Sequence, residues 1–381
     1  MRKLTADYLF TLERPPVKEG VVIIDDRGRV LDVLESRENA GDLEVFDGIL
    51  CPGMINSHGH LELSHLKDKL PRHTGLVDFI IGVQAFRNTD NELVQQAISE
   101  AEHGLYAQGI VGMGDICNTA DTFDLKSRGR IRYHTFLECF GFTPQNAGLV
   151  LERAQVLKEK VSGQSSINPH APYSVSEPLF KSITEAEPGL LSIHNQECRA
   201  ENEFYQSASG DFERLYKTFG IDISAFQPFG RNSLPVYAAW LGRQKKLLVH
   251  NTFTVAADLS SLSSEDHFTF CLCPGANLFI ENRLPDIPML VRSGWPLVIG
   301  TDSLASNDQL NLVHEMYLIQ HAFPEITLGT LLGWASRNAA AFFGWDDLGS
   351  MSAGKSPGIV QITGLAPNLK LGPDSRSKRI A

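Results

Sequence analysis

Short apolar runs recur along the chain, and from residue 51 onward nearly every one ends in polar or ionisable residues. The runs are CPGMINSHGH, GIVGMGDIC, YHTFLECF, SINPHAPYS, LLSIHNQE, KLLVHN, FTFCLCPGAN and PLVIGTDS. Runs of this length, bounded by turn signals, read as buried strands. Helical stretches lie between most of them; one is expected over 307–323, opened by Ser306 with Gln309 three residues on as a capping box. Strand–helix alternation implies parallel pairing, and eight repeats over 51–345 fit an α/β fold of the (β/α)8 TIM-barrel type. An open doubly wound sheet is the alternative. The barrel is preferred because strands from first to last carry polar residues at their C-terminal ends, as a shared mouth requires.

The rhythm differs at the two ends. VVIIDDRGRVLDVLE has an apolar run, an Asp-Asp-Arg-Gly turn and a second alternating run, which is a β-hairpin pattern. GSMSAGKSPGIVQITG reads as a turn followed by a strand over Ile359–Ile362. Residues 1–50 and 346–381 are therefore expected to pair into one small β domain beside the 51–345 barrel. The polar tail from Pro373 is expected to fray.

Composition narrows the function. Hydrophobic residues make up 43% and charged residues 21% of 381, an ordinary globular balance. The net charge of −11 lacks the basic footprint of a nucleic-acid binder. Cys51, Cys117, Cys139 and Cys198 are scattered and Cys271 and Cys273 form only a CxC, so reduced thiols in a cytoplasmic protein are expected. The N-terminus is broken by Asp7 before an apolar segment forms, and no apolar run approaches about 18 residues, so neither a signal peptide nor a membrane span is expected.

The chemistry sits at the strand ends. His58-Gly59-His60 places two imidazoles on one side of an extended chain, where both can reach one metal ion. An HxH pair alone is a weak signal. Strand five adds His194, strand six His250 and strand eight Asp302. Each has an ordinary explanation singly, as a buried histidine or a helix cap. Together they fall where barrel active sites are built, and imidazole with carboxylate suits Zn²⁺ or Fe²⁺. Glu197 lies three residues after His194. No CxxC, P-loop, HExxH or GxSxG is present, which sets aside the cytidine-deaminase fold and several hydrolase classes.

The order and spacing of PGMINSHGH, the HxxE of His194 to Glu197, VHN, and GTDSLASND resemble the amidohydrolase superfamily, within it the branch of mononuclear metal deaminases and chlorohydrolases. The resemblance covers nearly the whole chain and implies that the terminal segments form that branch's composite β-sandwich. No lysine stands in YHTFLECF or SINPHAPYS to bridge two metals, so one divalent ion is expected, Zn²⁺ first and Fe²⁺ second. The resemblance implies His58, His60, His194 and Asp302 as its ligands, with Asp302 also accepting a proton from water. It implies Glu197 as the proton shuttle and His250 as a hydrogen-bonding partner of the attacking oxygen. Glu62, His170 and Asn277 are the candidate substrate contacts, Asn277 being placed at the end of strand seven.

The expected reaction is deamination of an adenine nucleoside. HGHLELSHL is similar to the HxHLEFS tract of menaquinone-pathway enzymes that deaminate 6-amino-6-deoxyfutalosine; methylthioadenosine or S-adenosylhomocysteine is the second reading. The expected partner is that small molecule alone, with self-association left open. A long insertion after Cys198 is a candidate lid. Arg72, Arg199, Arg231 and Arg283 are candidates to clamp a substrate carboxylate.

Overall fold

The computed structural model describes residues 1–38 and 40–381. Eight central strands follow the predicted runs: β1 Met54–Gly59, β2 Ile110–Cys117, β3 Arg132–Cys139, β4 Gln164–Pro169, β5 Leu190–Asn195, β6 Lys245–His250, β7 Phe268–Leu272 and β8 Leu297–Ile299. They form two four-stranded sheets, β1 to β4 and β5 to β8, each in sequence order. Every pairing is parallel. This is an α/β fold with parallel sheets. The strands are buried on both faces, which is why they read as near-continuous apolar runs. Ile55, Ile116, Phe136, Leu247, Val249 and Cys271, drawn from both sheets, share one buried cluster. Their neighbours Ile193, Leu248, Phe270 and Ile299 face the larger cluster beneath the helices.

A few backbone contacts join the sheet edges. The His194 N–H donates to the His170 carbonyl at 2.9 Å, and the Thr301 and Asp302 N–H groups donate to His58 O at 3.0 and 3.1 Å. Gly300 permits the second approach: a Cβ there would stand 2.7 Å from the His58 carbonyl oxygen. A larger residue would push the β8 end away from β1.

Five helices concern the site: α1 Leu76–Phe86, α2 Arg199–Ser207, α3 Phe212–Phe219, α4 Pro274–Glu281 and α5 Leu312–Ala322. The long segment after Cys198 carries α2 and α3 and folds on an aromatic cluster of Phe204, Tyr205, Phe212 and Tyr216. The terminal segments build a four-stranded and a five-stranded sheet. Leu4, Leu9, Val22, Leu50 and Ile359 from both pack together. The predicted hairpin is present as Val21–Ile24 against Val30–Leu34, and the predicted late strand as Ile359–Thr363.

Three expectations are corrected. The tail does not fray: Arg376–Arg379 pairs antiparallel with Ile359–Thr363, and the Arg379 guanidinium donates to the Tyr106 and Ile110 carbonyls. The helix expected from 307 starts at Leu312, capped by Asn311, whose side chain accepts from the Val313 and His314 N–H groups. Ser306 is unavailable as a cap because its hydroxyl donates to Asp302 Oδ2 at 2.5 Å. Strand seven stops at Leu272, so Asn277 lies inside α4 rather than at a strand end.

Candidate metal and active site

The C-terminal ends of β1, β5, β6 and β8 converge. Donor atoms of His58, His60, His194 and Asp302 all lie within 4.8 Å of one another, and all four residues are buried. His60 Nε2 stands 3.2 Å from His58 Nε2 and 3.3 Å from Asp302 Oδ1, with His58 Nε2 3.5 Å from the same oxygen. The His194 Nδ1–H donates to the His170 carbonyl at 2.9 Å, which turns the other ring nitrogen to the cluster.

The donor set fits a metal ion. Burial lowers the pKa of all three histidines, so they are neutral ligands at pH 7. Burial alone would raise Asp302, but its neighbours His60 and His250 and the Ser306 hydrogen bond outweigh it and hold its carboxyl below the usual range. Packing a carboxylate and neutral imidazoles this tightly, dry and without a cation, is costly. A divalent ion with nitrogen and oxygen preference is the group that matches them.

The backbone bends sharply at these positions. Gln196, His250 and Asp302 have φ of 46°, 73° and 58°, a region that non-glycine residues seldom occupy. Such strain persists where surrounding contacts hold it, commonly at functional sites. Glu201 provides one of those contacts, accepting from the Gln196 N–H at 2.9 Å. The Gln196 side chain is tied away to Asp258 and Thr254. This turn directs Glu197 inward.

Glu197 is buried, and burial followed by the Asp302 charge pushes its carboxyl well above the usual range. Its Oε1 lies 3.6 Å from His250 Nε2. The Asn277 amide donates to His250 Nδ1 at 3.2 Å and to Thr252 Oγ1 at 2.8 Å. With the amide in this orientation Nδ1 is the acceptor and the His250 proton sits on Nε2, facing Glu197.

Glu197 and His250 line one cavity of about 100 Å³, together with His60, His194, His170 and Asp302. Five of its walls come from α1 as the helical stripe Leu76, Phe79, Ile80, Val83 and Gln84. His170 therefore joins the cluster. Glu62 and Asn277 do not line the cavity. Glu62 lies behind it, bonded to the Arg87 guanidinium and to the Asn118 and Thr119 N–H groups at 2.9 and 3.1 Å. Asn277 stands behind His250. Arg72, Arg199, Arg231 and Arg283 are absent from the lining; Arg72 pairs with Asp308 at 2.7 Å.

One lining carboxylate escaped the sequence reading. Glu138, the penultimate residue of β3, stands 3.3 Å from His194 Nδ1. Burial pushes its carboxyl up to about 8, against a hydrogen bond from Asn118. Its place at a strand end was the available signal.

The amidohydrolase family model matches residues 49–372. The chain is 26% identical over 311 residues to an adenosine deaminase of Helicobacter pylori, covering 77% of this chain and 74% of that protein. It is 24% identical over 319 residues to an aminodeoxyfutalosine deaminase of Nitratiruptor, covering 79% and 75%. It is 25% identical over 393 residues to a 5-methylthioadenosine/S-adenosylhomocysteine deaminase of Halalkalibacterium halodurans, covering 92% and 82%. Among solved structures, Helicobacter pylori aminofutalosine deaminase with methylthio-coformycin superposes with TM-score 0.79 at 21% identity, covering 96% and 93% of the two chains. The zinc complex of atrazine chlorohydrolase from Arthrobacter aurescens superposes with TM-score 0.73 at 16% identity, covering 94% and 86%.

Proposed function

This chain belongs to the amidohydrolase family, and we propose that it hydrolyses the exocyclic C–N bond of an adenine nucleoside, releasing ammonia. It is a hydrolase acting on C–N bonds with a His/His/His/Asp metal site. We read its eight strands as one (β/α)8 barrel over 51–345 and its terminal sheets as a composite β-sandwich domain over 1–50 and 346–381. We read the whole as a cytoplasmic enzyme.

The observation that carries the reaction is the placement of Glu197 and His250, 3.6 Å apart, on the wall of the cavity that the metal donors line. His58, His60, His194 and Asp302 would hold one ion, zinc in this reading, as in the chlorohydrolase structure named above. A divalent ion there supplies Lewis acidity that brings the pKa of water toward about 7. Asp302, ionised in the folded protein, accepts the proton that water gives up. Glu197 is held protonated by its dry surroundings. It donates to the ring nitrogen next to the carbon under attack, takes up a proton again and passes it to the departing ammonia. His250 presents its Nε2–H to the oxygen that becomes the product carbonyl. His170 lines the cavity and contacts the substrate.

Within this class the HLELS tract favours 6-amino-6-deoxyfutalosine, and the Nitratiruptor relative bears the name of that reaction. Methylthioadenosine or S-adenosylhomocysteine is the second reading, supported by a relative of similar identity named for those substrates. Ammonia release from these nucleosides and from adenosine, measured side by side on zinc-loaded enzyme, tests both. No release from any adenine nucleoside overturns the function. A higher kcat/KM for methylthioadenosine or S-adenosylhomocysteine replaces the first substrate with the second.

A further inference from the structure

Glu315, on α5, is fully buried and lines no part of the catalytic cavity. Burial pushes its carboxyl up to about 8, against hydrogen bonds from the Gly275 N–H and the Asn307 amide. A buried acid costs folding free energy that an apolar side chain in its place would not. Its two oxygens show what it holds. Oε2 accepts from the Gly275 N–H at 2.7 Å, and Oε1 accepts from Asn307 Nδ2 at 2.7 Å. Both donors favour the ionised form. One carboxylate thus bridges the segment that follows β7 and the segment that follows β8.

The Asn307 arm reaches Asp302. Asn307 Nδ2 also donates to the Thr301 carbonyl at 2.9 Å. That carbonyl belongs to the peptide unit joining Thr301 to Asp302, whose N–H donates to His58 O at 3.1 Å. Both sides of the unit are therefore tied, and its orientation helps to hold the φ of 58° at Asp302. The Gly275 arm reaches His250. α4 begins without a side-chain cap at Cys273, and Pro274 has no N–H, so the Gly275 N–H is the first donor of the helix. Glu315 meets that donor and fixes the turn that carries Asn277, whose amide donates to His250 Nδ1. Glycine leaves room for the bridge: a Cβ at position 275 would stand 2.5 Å from Asn307 Nδ2 and 2.6 Å from Glu315 Oε1.

We infer that Glu315 is a positioning residue: one buried carboxylate holds Asp302 and the Asn277–His250 pair in fixed register across the ends of β7 and β8. The inference rests on the metal-site and deaminase reading above. In that reading Asp302 and His250 act on the same oxygen, and misplacing reacting groups by about 1 Å can cost about 10²-fold. Glutamine cannot replace the carboxylate. Its amide has one acceptor oxygen, and its NH2 would face an N–H donor on the other side. The Gly275 N–H is main chain and cannot turn. The Asn307 amide can turn, and doing so gives up the Thr301 carbonyl.

The test uses the full chain with Glu315→Gln, with Asn307→Ala and, as a control, with Glu102→Gln. Glu102 is another buried acid, paired with Arg130 at 3.3 Å and absent from the cavity lining. Zinc affinity is read by competition with a chromogenic chelator, and turnover per zinc-loaded molecule with the most active of the adenine nucleosides named above. Glu315→Gln and Asn307→Ala should each weaken zinc binding about 10- to 100-fold. At saturating zinc their kcat should fall about tenfold or more, with KM within about threefold of wild type. Glu102→Gln should leave zinc affinity and kcat at wild type, whatever its melting temperature. Wild-type zinc affinity in both site variants overturns the bridge, as does an equal loss in Glu102→Gln. If Glu315→Gln does not fold, Asn307→Ala decides, because it removes one arm and keeps the carboxylate on Gly275. Weakened zinc binding in the variants, with no ammonia release by the wild type, would overturn the deaminase reading and leave the bridge standing.

Discussion

The backbone N–H of Asp302 donates to the backbone carbonyl of His58 at 3.1 Å, while the Asp302 carboxylate stands 3.5 Å from the His58 ring. Two candidate ligands from opposite ends of the strand series are thus locked together by main chain. Gly300 makes the contact sterically allowed, and the φ of 58° at Asp302 is the strain it carries. The geometry of the metal site is therefore built into the union of the first and last strands.

One tightly bound divalent ion per chain is expected from that arrangement. Elemental analysis of metal-replete protein should give close to one equivalent, and His58→Ala or Asp302→Ala should lose most of it. Two equivalents, or retention by both variants, would contradict the ligand assignment. Stripping the ion should lower the melting temperature, because an ion that binds only the folded state stabilises it by mass action.

The strand ends were legible because the chemistry of a parallel α/β fold is written in register: the apolar runs of β1, β5, β6 and β8 end where their ionisable side chains converge. What the sequence concealed was spatial. Glu62, after the HxH, read either as a substrate contact or as a salt-bridged loop acid; the second holds, with Arg87, Asn118 and Thr119 converging on it from elsewhere in the chain. Ser306 and Gln309 matched a capping box, yet the hydroxyl goes to Asp302. Tertiary hydrogen bonds overrode local propensity in both cases. The tail read as frayed because its pairing partner, Ile359–Thr363, gives no sign in the tail itself.

Asn277 is expected to act through His250. Its amide proton makes Nδ1 the acceptor and leaves Nε2–H for the cavity. Asn277→Asp presents an acceptor instead and favours the opposite tautomer, so kcat should fall by about 10²-fold or more, with KM changed far less. Imidazole NMR should report the tautomer change directly. A variant with wild-type kcat, or an unaltered tautomer, would remove Asn277 from this role.

Glu201 offers a pH test of the turn that aims Glu197. Burial raises its carboxyl to about 7. Its Oε1 accepts from Gln196 N–H and Ser233 Oγ–H, while Oε2 has no partner among the described residues. An acid raised in the folded state stabilises fully below its unfolded pKa of about 4.3, and that stability is lost as pH rises through the folded value. Glu201→Gln keeps the accepting oxygen and cannot ionise. The variant should gain on wild type by about 2 kcal/mol between pH 5 and 8 in chemical denaturation. A constant difference across that range would mean that Glu201 does not titrate there.

Glu62, buried behind the cavity, pairs with the partly buried Arg87, and both are also bonded to the Asn118–Thr119 loop. Removing only the cation leaves an uncompensated buried carboxylate, which typically costs about 3–5 kcal/mol. Arg87→Met should therefore destabilise strongly, and adding Glu62→Gln should restore much of the loss. Urea unfolding of the two single variants and the double variant measures the coupling; additive effects would show that the pair is not a unit.

Glu197 carries the sharpest consequence. It is buried beside Asp302, and burial followed by that charge raises its carboxyl well above the ordinary range, which favours the protonated form. That is the state a general acid needs before turnover, and the nearby His250 keeps it within reach of the same reacting centre. Glu197→Gln preserves size and hydrogen-bonding reach but cannot deliver a proton. General acid–base catalysis supplies about 10²–10⁴-fold, so kcat should fall by at least about 10²-fold. Metal content should stay near one equivalent, because Glu197 is not among the four clustered donors. Binding of a non-reacting nucleoside should change little, since the shape of the wall is kept. A variant that turns over at the wild-type rate would move the proton transfers to another group, with Glu138 next in line at 3.3 Å from His194.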